Sequence, residues 1–343
     1  MQASSPLISA ASPANTTYYV RAYATTSPAT NLTQTSATLN GTVSNPDNVA
    51  VTARGFEWKA TTGGTYTAVN ATGETMIYSL TGLTANTSYT YRAFVTTASG
   101  TRYGDEETFT TASAPVFTCG TSTVKDYDGH TYNTVQIGNQ CWMKENMRTT
   151  HYADGTPVPT GGSNKSSTAS YYYNYSSSSI SLGQRGYLYN WSAAMRGTAS
   201  SAASPSGVQG ICPNGWHVLI DAEWTTMTNY VNSQSTYRCG GTSDNIAKAL
   251  ASTEWWETAT GNCMVGNTPA SNNETGFSAV PAGHYVGLSG SPFNNERYHA
   301  LFWSTMQSDS SKAYYRNLRS NNAKVVSGSF DKYRGFSVRC LRD

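Results

Sequence analysis

Six cysteines constrain this chain more than any other feature. Cys119, Cys141, Cys212, Cys239, Cys263 and Cys340 all lie in the C-terminal two thirds, and none forms a Cys-x-x-Cys pair. The five histidines are scattered without metal-ligand spacing, so neither a zinc site nor any other metal is indicated. An even number of dispersed cysteines in a Ser/Thr-rich chain with only 12% charged residues predicts three disulfides formed in an oxidising compartment. Six cysteines allow fifteen pairings, and spacing alone does not choose among them. A formal net charge of +2 offers no global basis for nucleic-acid binding, which needs a basic face. No run of about 18 apolar residues is present, so no transmembrane helix is expected. The start, Met1-Gln2-Ala3-Ser4-Ser5, lacks the basic and apolar regions of a signal peptide. It reads as a mature or truncated chain bearing an added Met.

Composition points to β-rich extracellular modules. The hydrophobic fraction is 38%, but 24 Tyr and 8 Trp supply large packing units, and strands accept Thr and Tyr readily. Residues 13–26 (PANTTYYVRAYATT) match 84–97 (TANTSYTYRAFVTT) without a gap at an offset of 71. Tyr18, Val20, Ala22 and Ala24 alternate, as do Tyr89, Tyr91, Ala93 and Val95, with the period of a half-buried strand. Ser36–Val43, Gly55–Lys59, Met76–Leu80 and Glu107–Thr111 are further strand candidates, separated by turns such as Asn45-Pro46-Asp47-Asn48 and Gly63-Gly64. The stretch LTGLTANTSYTYRAFV resembles the Leu-plus-Tyr corner of a fibronectin type III module. On that resemblance residues 27–112 are an all-β sandwich acting as a stalk, and residues 1–26 are the end of a truncated preceding repeat.

After a short linker at residues 113–116 the pattern changes. Two helical signals appear. Asp221 is placed to cap Ile220–Val231, with Trp224, Met227 and Val231 on one face, and Ser243 to cap Ser243–Leu250, with Ile246 and Leu250 inward. The rest reads as strands and long loops, an α+β domain with little helix. Asp126-x-Asp128-Gly129 looks like the opening of a calcium loop, but Ile137 stands where the twelfth-position acid belongs, so a turn is the reading. Trp142, Trp191, Trp216, Trp224 and Trp303 are expected in the core. Asn-x-Ser/Thr triplets, as at Asn86 and Asn190, are given no role.

The ordered blocks VKDYDGHTYNTVQIGNQCWMKENMRTTHYADGTPV (124–158), GYLYNWSAAM (186–195), ICPNGWHVLIDAEW (211–224), NNETGFSAVPAGHY (272–285), LFWSTM (301–306) and GFSVRCLRD (335–343) closely resemble the Fibrobacter succinogenes major paralogous domain. That family is related to formylglycine-generating-enzyme-like and C-type-lectin-like folds. The resemblance implies a C-type-lectin-like domain over residues 117–343, on a secreted protein or at the bacterial outer surface, with surface or pilus subunits as possible partners. It also suggests the pairings Cys119–Cys141, Cys212–Cys340 and Cys239–Cys263.

Catalysis and cofactors are not expected. The formylglycine-generating enzymes use paired redox cysteines near the C-terminus, where this chain has only Cys340, and His217, His284 and His299 form no cluster in the sequence. Helix capping and solvated faces account for Asp221, Glu223 and Glu254 better than paired catalytic carboxylates do. A binding role has a positive feature. The segment 306–333, MQSDSSKAYYRNLRSNNAKVVSGSFDKY, has the Tyr, Asn, Ser and Arg of antibody-like paratopes. From Lys312 to Asp343 eight basic residues face two acidic ones, a surplus of six that suits an anionic or glycan-like ligand. The stretch also resembles the hypervariable segment of C-type-lectin-like variable proteins of diversity-generating retroelements. By that resemblance Gln307, Ser308, Tyr314, Tyr315, Arg316, Asn317, Arg319, Asn321, Asn322 and Lys324 face an unknown protein or glycan ligand. The competing reading is a purely structural surface or pilus-tip subunit.

Overall fold

A computed structural model describes residues 21–343. The chain divides into two compact units between Val116 and Phe117. Residues 1–20, and with them Tyr18 and Val20 of the expected repeat remnant, lie outside the described residues.

The first unit is an all-β sandwich. Its strands are β1 (Tyr23–Thr30), β2 (Ser36–Ser44), β3 (Val51–Ala60), β4 (Thr67–Asn70), β5 (Thr75–Thr81), β6 (Ser88–Thr97), β7 (Gly100–Tyr103) and β8 (Glu107–Thr110). One sheet runs β1-β2-β5. The other runs β4-β3-β6-β7, with β8 also on β6. Alternation sends Leu39, Phe56, Met76, Tyr91, Ala93 and Val95 into the shared core. The corner forms as its resemblance implied: Leu83 is buried and the Thr84 N–H donates to the Tyr89 hydroxyl at 2.9 Å. One expectation needs correcting. Strand β1 crosses the expected boundary between residues 26 and 27, pairing with β2 from Tyr23↔Ser44 onward. Thr26 Oγ1 accepts from the Ala93 N–H, and the Tyr91 hydroxyl donates to the Ser27 carbonyl. Residues 23–26 therefore belong to this sandwich.

The second unit opens with two ribbons, β9 (Val124–Lys125) with β10 (Thr131–Tyr132) and β11 (Thr134–Ile137) with β12 (Gln140–Met143). Next come β13 (Tyr172–Tyr173), α1 (Leu182–Arg185), β14 (Leu188–Tyr189) and α2 (Trp191–Met195), then β15 (Trp216–Val218), α3 (Asp221–Ser233) and α4 (Ala247–Leu250). A final run of strands is β16 (Ala282–Leu288), β17 (Ser291–Glu296), β18 (His299–Gln307), β19 (Lys312–Arg319), β20 (Val326–Asp331) and β21 (Cys340–Arg342). Two sheets carry the unit, β11-β12-β21-β15 and β17-β16-β18-β19-β20. Strand β18 is covered on both faces, which is why its sequence is a continuous apolar run rather than an alternation. Leu301 and Trp303 enter a core with Tyr189, Trp191 and Phe336, while Ala300 and Phe302 enter another with Trp142, Trp224 and Phe277. Gly335 lets β16 close on the chain. Tyr285 and Gly335 exchange backbone bonds of 2.9 and 3.1 Å, and a Cβ at Gly335 would lie 2.7 Å from Tyr173.

The three disulfides pair as the resemblance suggested: Cys119–Cys141, Cys212–Cys340 and Cys239–Cys263. The second closes 128 residues of chain, a constraint worth on the order of 5 kcal/mol. The five tryptophans expected inside are buried.

Helix capping differs in detail. Ile220 precedes α3, and Glu223 Oε2 accepts from the Ile220 N–H at 3.0 Å, so Glu223 rather than Asp221 completes the start. The second helix shrinks to α4, preceded by Ile246, and Ser243 instead accepts from Asn232. Asn190 has a role the sequence did not disclose. It is fully buried and caps α2, accepting from the Tyr171 and Ala193 N–H groups and donating to Ser166 and Ala169 carbonyls. No helix among the described residues is long and apolar enough to cross a membrane.

Two buried basic side chains, Arg339 and His217, tie segments of the second unit together. Arg339, 1% exposed, donates to Asn146 Oδ1 and to the carbonyls of Met143, Phe277 and Ser278 at 2.6–3.1 Å. Burial pushes its guanidinium down to about 9. His217, 2% exposed, bridges Glu223 Oε1 at 3.0 Å and Asp343 Oδ1 at 2.6 Å. Burial alone would lower its imidazole, but the bonds to Glu223 and Asp343 outweigh this and raise it.

Replacing Arg339 by Met strands four buried acceptors, at about 1–3 kcal/mol each. The unfolding transition of the second unit is expected to lose at least ~3 kcal/mol in denaturant titration. His217 binds its proton more tightly folded than unfolded, so its contribution is full below its ordinary value of 6.5 and is lost as pH rises through the raised folded value. The stability gap between the wild type and His217→Gln, measured from pH 5 to 9, should be widest at the acid end of that range and narrow upward.

Candidate functional site

The segment chosen for recognition folds as the β18–β19–β20 meander, and strand alternation sorts its residues. Tyr315 and Asn317 point inward, which corrects their assignment to the ligand-facing set. Tyr315 stacks on Phe330 with centroids 5.0 Å apart and meets Phe336 edge-on. Asn317, 1% exposed, lies 3.5 Å from His299 Nδ1. Arg319 sits in register opposite His299 at the far end of β19. Tyr314 and Arg316 fall on the opposite side of the strand. Arg316 is pinned to α3 by Asp221 Oδ2 at 2.8 Å and Thr225 Oγ1 at 3.2 Å. Tyr314 is half-buried.

The remaining members lie at the two ends of β19. Gln307 and Ser308 are exposed at the β18–β19 turn, where Gln307 Oε1 accepts from Lys332 Nζ at 2.7 Å. Lys332 is itself buried, with its ammonium 4.5 Å from the Trp191 ring centroid. Asn321, Asn322 and Lys324 form the β19–β20 connection. There Asn322 Oδ1 accepts the Lys324 N–H, and Lys324 Nζ faces Asp244 at 3.5 Å.

The structure thus brings together Arg316 and Lys324 with a wall the sequence did not point to. Helix α3 buries Trp224, Met227 and Val231, so Thr225, Thr228, Asn229 and Asn232, at i, i+3, i+4 and i+7, form another face. A groove of about 280 Å³ runs between that face, Asp244 and the β19–β20 connection. Asn232 fixes Asp244 by accepting its N–H at 2.8 Å.

The local positive surplus is largely spent internally. Arg316, Lys324 and Arg334 pair with Asp221, Asp244 and Asp331, while Lys332 and Arg339 are buried. What the groove presents is amide and hydroxyl chemistry rather than a cationic field. That weakens the case for an anionic ligand.

Two histidines that look scattered in the sequence meet through the parallel β16–β18 pairing. His284 and His299 lie with centroids 6.5 Å apart and planes at 13°. Burial, then Arg334 and His299, push His284 down to about 4; burial, then Arg319, does the same for His299. Both are neutral at pH 7. Among the described residues no group of three or more His, Cys, Asp or Glu is placed to hold a metal. Asp126 and Asp128 serve turns. Asp126 accepts from the His130 N–H and the Tyr132 hydroxyl, and Asp128 from the Thr150 N–H and the Thr149 hydroxyl.

A sequence model of the Fibrobacter succinogenes major domain matches residues 135–342. No curated protein matches the chain. Among solved structures, the sensor domain of the anti-sigma factor RsgI4 in Pseudobacteroides cellulosolvens is 16% identical, with a TM-score of 0.24 over 27% of this chain and 96% of that one. The FN3 domain (P368–P466) of human collagen XX is 22% identical, with a TM-score of 0.23 over 32% of this chain and 100% of that one.

The sorting of Tyr314 from Tyr315 is directly testable. Tyr315→Ala removes a buried aromatic and is expected to cost about 3–5 kcal/mol in the denaturant unfolding of the second unit. Tyr314→Ala should stay within about 0.5 kcal/mol of the wild type.

Proposed function

The chain belongs to the Fibrobacter succinogenes major domain family through residues 135–342, and we infer that it is a non-enzymatic recognition protein of the bacterial outer surface. Its second unit works as a C-type-lectin-like head and its first as a stalk. The observation that carries this reading is the groove between α3 and the β19–β20 connection, built on a frame closed by Cys212–Cys340. Amides and hydroxyls held by rigid elements supply hydrogen bonds of both senses at small ordering cost, which suits a protein surface or a glycan. Three disulfides support an oxidising, extracellular setting. The exposed or half-buried members Gln307, Ser308, Tyr314, Asn321, Asn322 and Lys324 could be diversified, as by a retroelement, without touching the core.

A glycan-array and whole-cell binding screen tests the reading, comparing the wild type with Tyr314→Ala/Asn229→Ala/Lys324→Ala. A loss of at least about tenfold in affinity with an unchanged unfolding midpoint is expected. Unchanged binding would move the site elsewhere. Absence of binding by the wild type would favour a purely structural surface or pilus-tip subunit.

A further inference from the structure

A second cleft, formed without any residue of the 306–333 segment, has a volume of about 520 Å³, within the range of about 300–1,000 Å³ typical of small-ligand sites. One wall comes from the β12 exit, with Lys144, Glu145 and Arg148, and the other from the turn after α4, with Glu254 and Trp255. Trp255 holds φ +74°, a left-handed conformation that a bulky side chain rarely adopts and that costs about 1–3 kcal/mol.

The flanks impose that conformation. The Ser252 hydroxyl donates to the Glu254 carbonyl at 2.9 Å, the Ser252 N–H to Ala279, and the Glu257 N–H to Arg297. Trp256 next to it is buried in the core. The strained turn therefore sends consecutive tryptophans to different places, Trp256 inward and Trp255 to the cleft. Trp255 is half-buried, and among the described residues no aromatic ring or cation stacks on it.

We propose that this cleft binds a neutral saccharide, with Trp255 as the platform for the apolar face of a sugar ring. A pyranose presents C–H groups on one face and hydroxyls around its rim, so it needs one aromatic surface and both donors and acceptors beside it. The opposite wall supplies them in fixed positions. Arg148 is anchored to the Thr131 and Gly183 carbonyls, and Glu145 to the Asn133 N–H and amide. Lys144 and Arg148 balance Glu145 and Glu254, which favours an uncharged ligand over an ion.

Gly183 allows the cleft to be filled independently of Trp255. Its φ is not in the left-handed region, and a Cβ there would meet only Ser181 Oγ at 4.0 Å. The whole chain is titrated with cello-, xylo-, manno- and chito-hexaose by saturation-transfer NMR and calorimetry. At least one should bind. Trp255→Ala and Gly183→Leu should each weaken that binding at least about tenfold, and Trp255→Phe less than about fivefold.

Trp255→Gly, which relieves the left-handed strain, should leave the unfolding midpoint level or higher. Asn229→Ala/Lys324→Ala, in the groove of the proposed function, should leave hexaose binding unchanged, so the two sites fail or stand separately. The proposal is overturned if no hexaose binds, or if Trp255→Ala and Gly183→Leu bind as the wild type does. It is equally overturned if Trp255→Gly lowers the midpoint by more than about 4 °C, which would make the ring a packing element.

Discussion

The second unit depends on one guanidinium. Arg339 is satisfied by three backbone carbonyls and a side-chain amide, drawn from the 143–146 segment and from residues 277 and 278. Taking a charge out of water is costly, and only full hydrogen bonding offsets it. The arrangement is therefore all-or-none: the segments that supply the acceptors must be in place together. Cys340, its neighbour, is covalently tied to Cys212 and sits in β21 between β12 and β15. A polar lock and a covalent lock thus act on adjacent residues, Arg339 just before this short strand and Cys340 at its start.

Rigidity behind the surface follows from that frame. Helix α3 rests on Trp142, Phe277 and Phe302 through Trp224, and its start is fixed by Glu223, which also holds His217. The face carrying Asn229 and Asn232 inherits this order. So does the opposite wall of the groove, because Arg316 ties β19 to the first turn of α3. The cleft beside Trp255 uses a different device, a turn held in an unfavourable conformation by hydrogen bonds on either side.

Much of the sandwich was legible because strands with one solvated face carry their period in the residue order. Ser36–Ser44 alternates; Tyr89, Tyr91, Ala93 and Val95 keep the inward period of Ser88–Thr97 even though Thr90 and Phe94 on its other face are buried too, and Leu83 with Tyr89 marks the corner. Strands β4 and β7 were not legible: TAVN and GTRY are short, mostly exposed and without a buried period. The similarity of 13–26 to 84–97 misled, since a matching strand pattern does not say which sandwich the strand joins. In the second unit, the disulfide pairing came through family blocks, not spacing. The site was legible as a segment but not as a surface. Tyr314 and Tyr315 are identical letters, and only the register with Trp303 and Gly328 decides which faces the core. Asn229 and Trp255 escaped because each depends on a neighbour distant in sequence or on a backbone angle that no residue type announces.

Asn190 has a bearing on where this chain can be made. Asn190-Trp191-Ser192 is an acceptor triplet for N-glycosylation. In a eukaryotic secretory pathway, sugar is attached to such triplets while the chain is still emerging. A glycan on the Asn190 amide nitrogen would occupy the group that must donate to Ser166 and Ala169, at a residue with no exposed surface. The modification and the native fold are mutually exclusive at this position. A host without that machinery makes the chain free of this conflict, while a yeast or mammalian secretory host imposes it on every molecule it modifies.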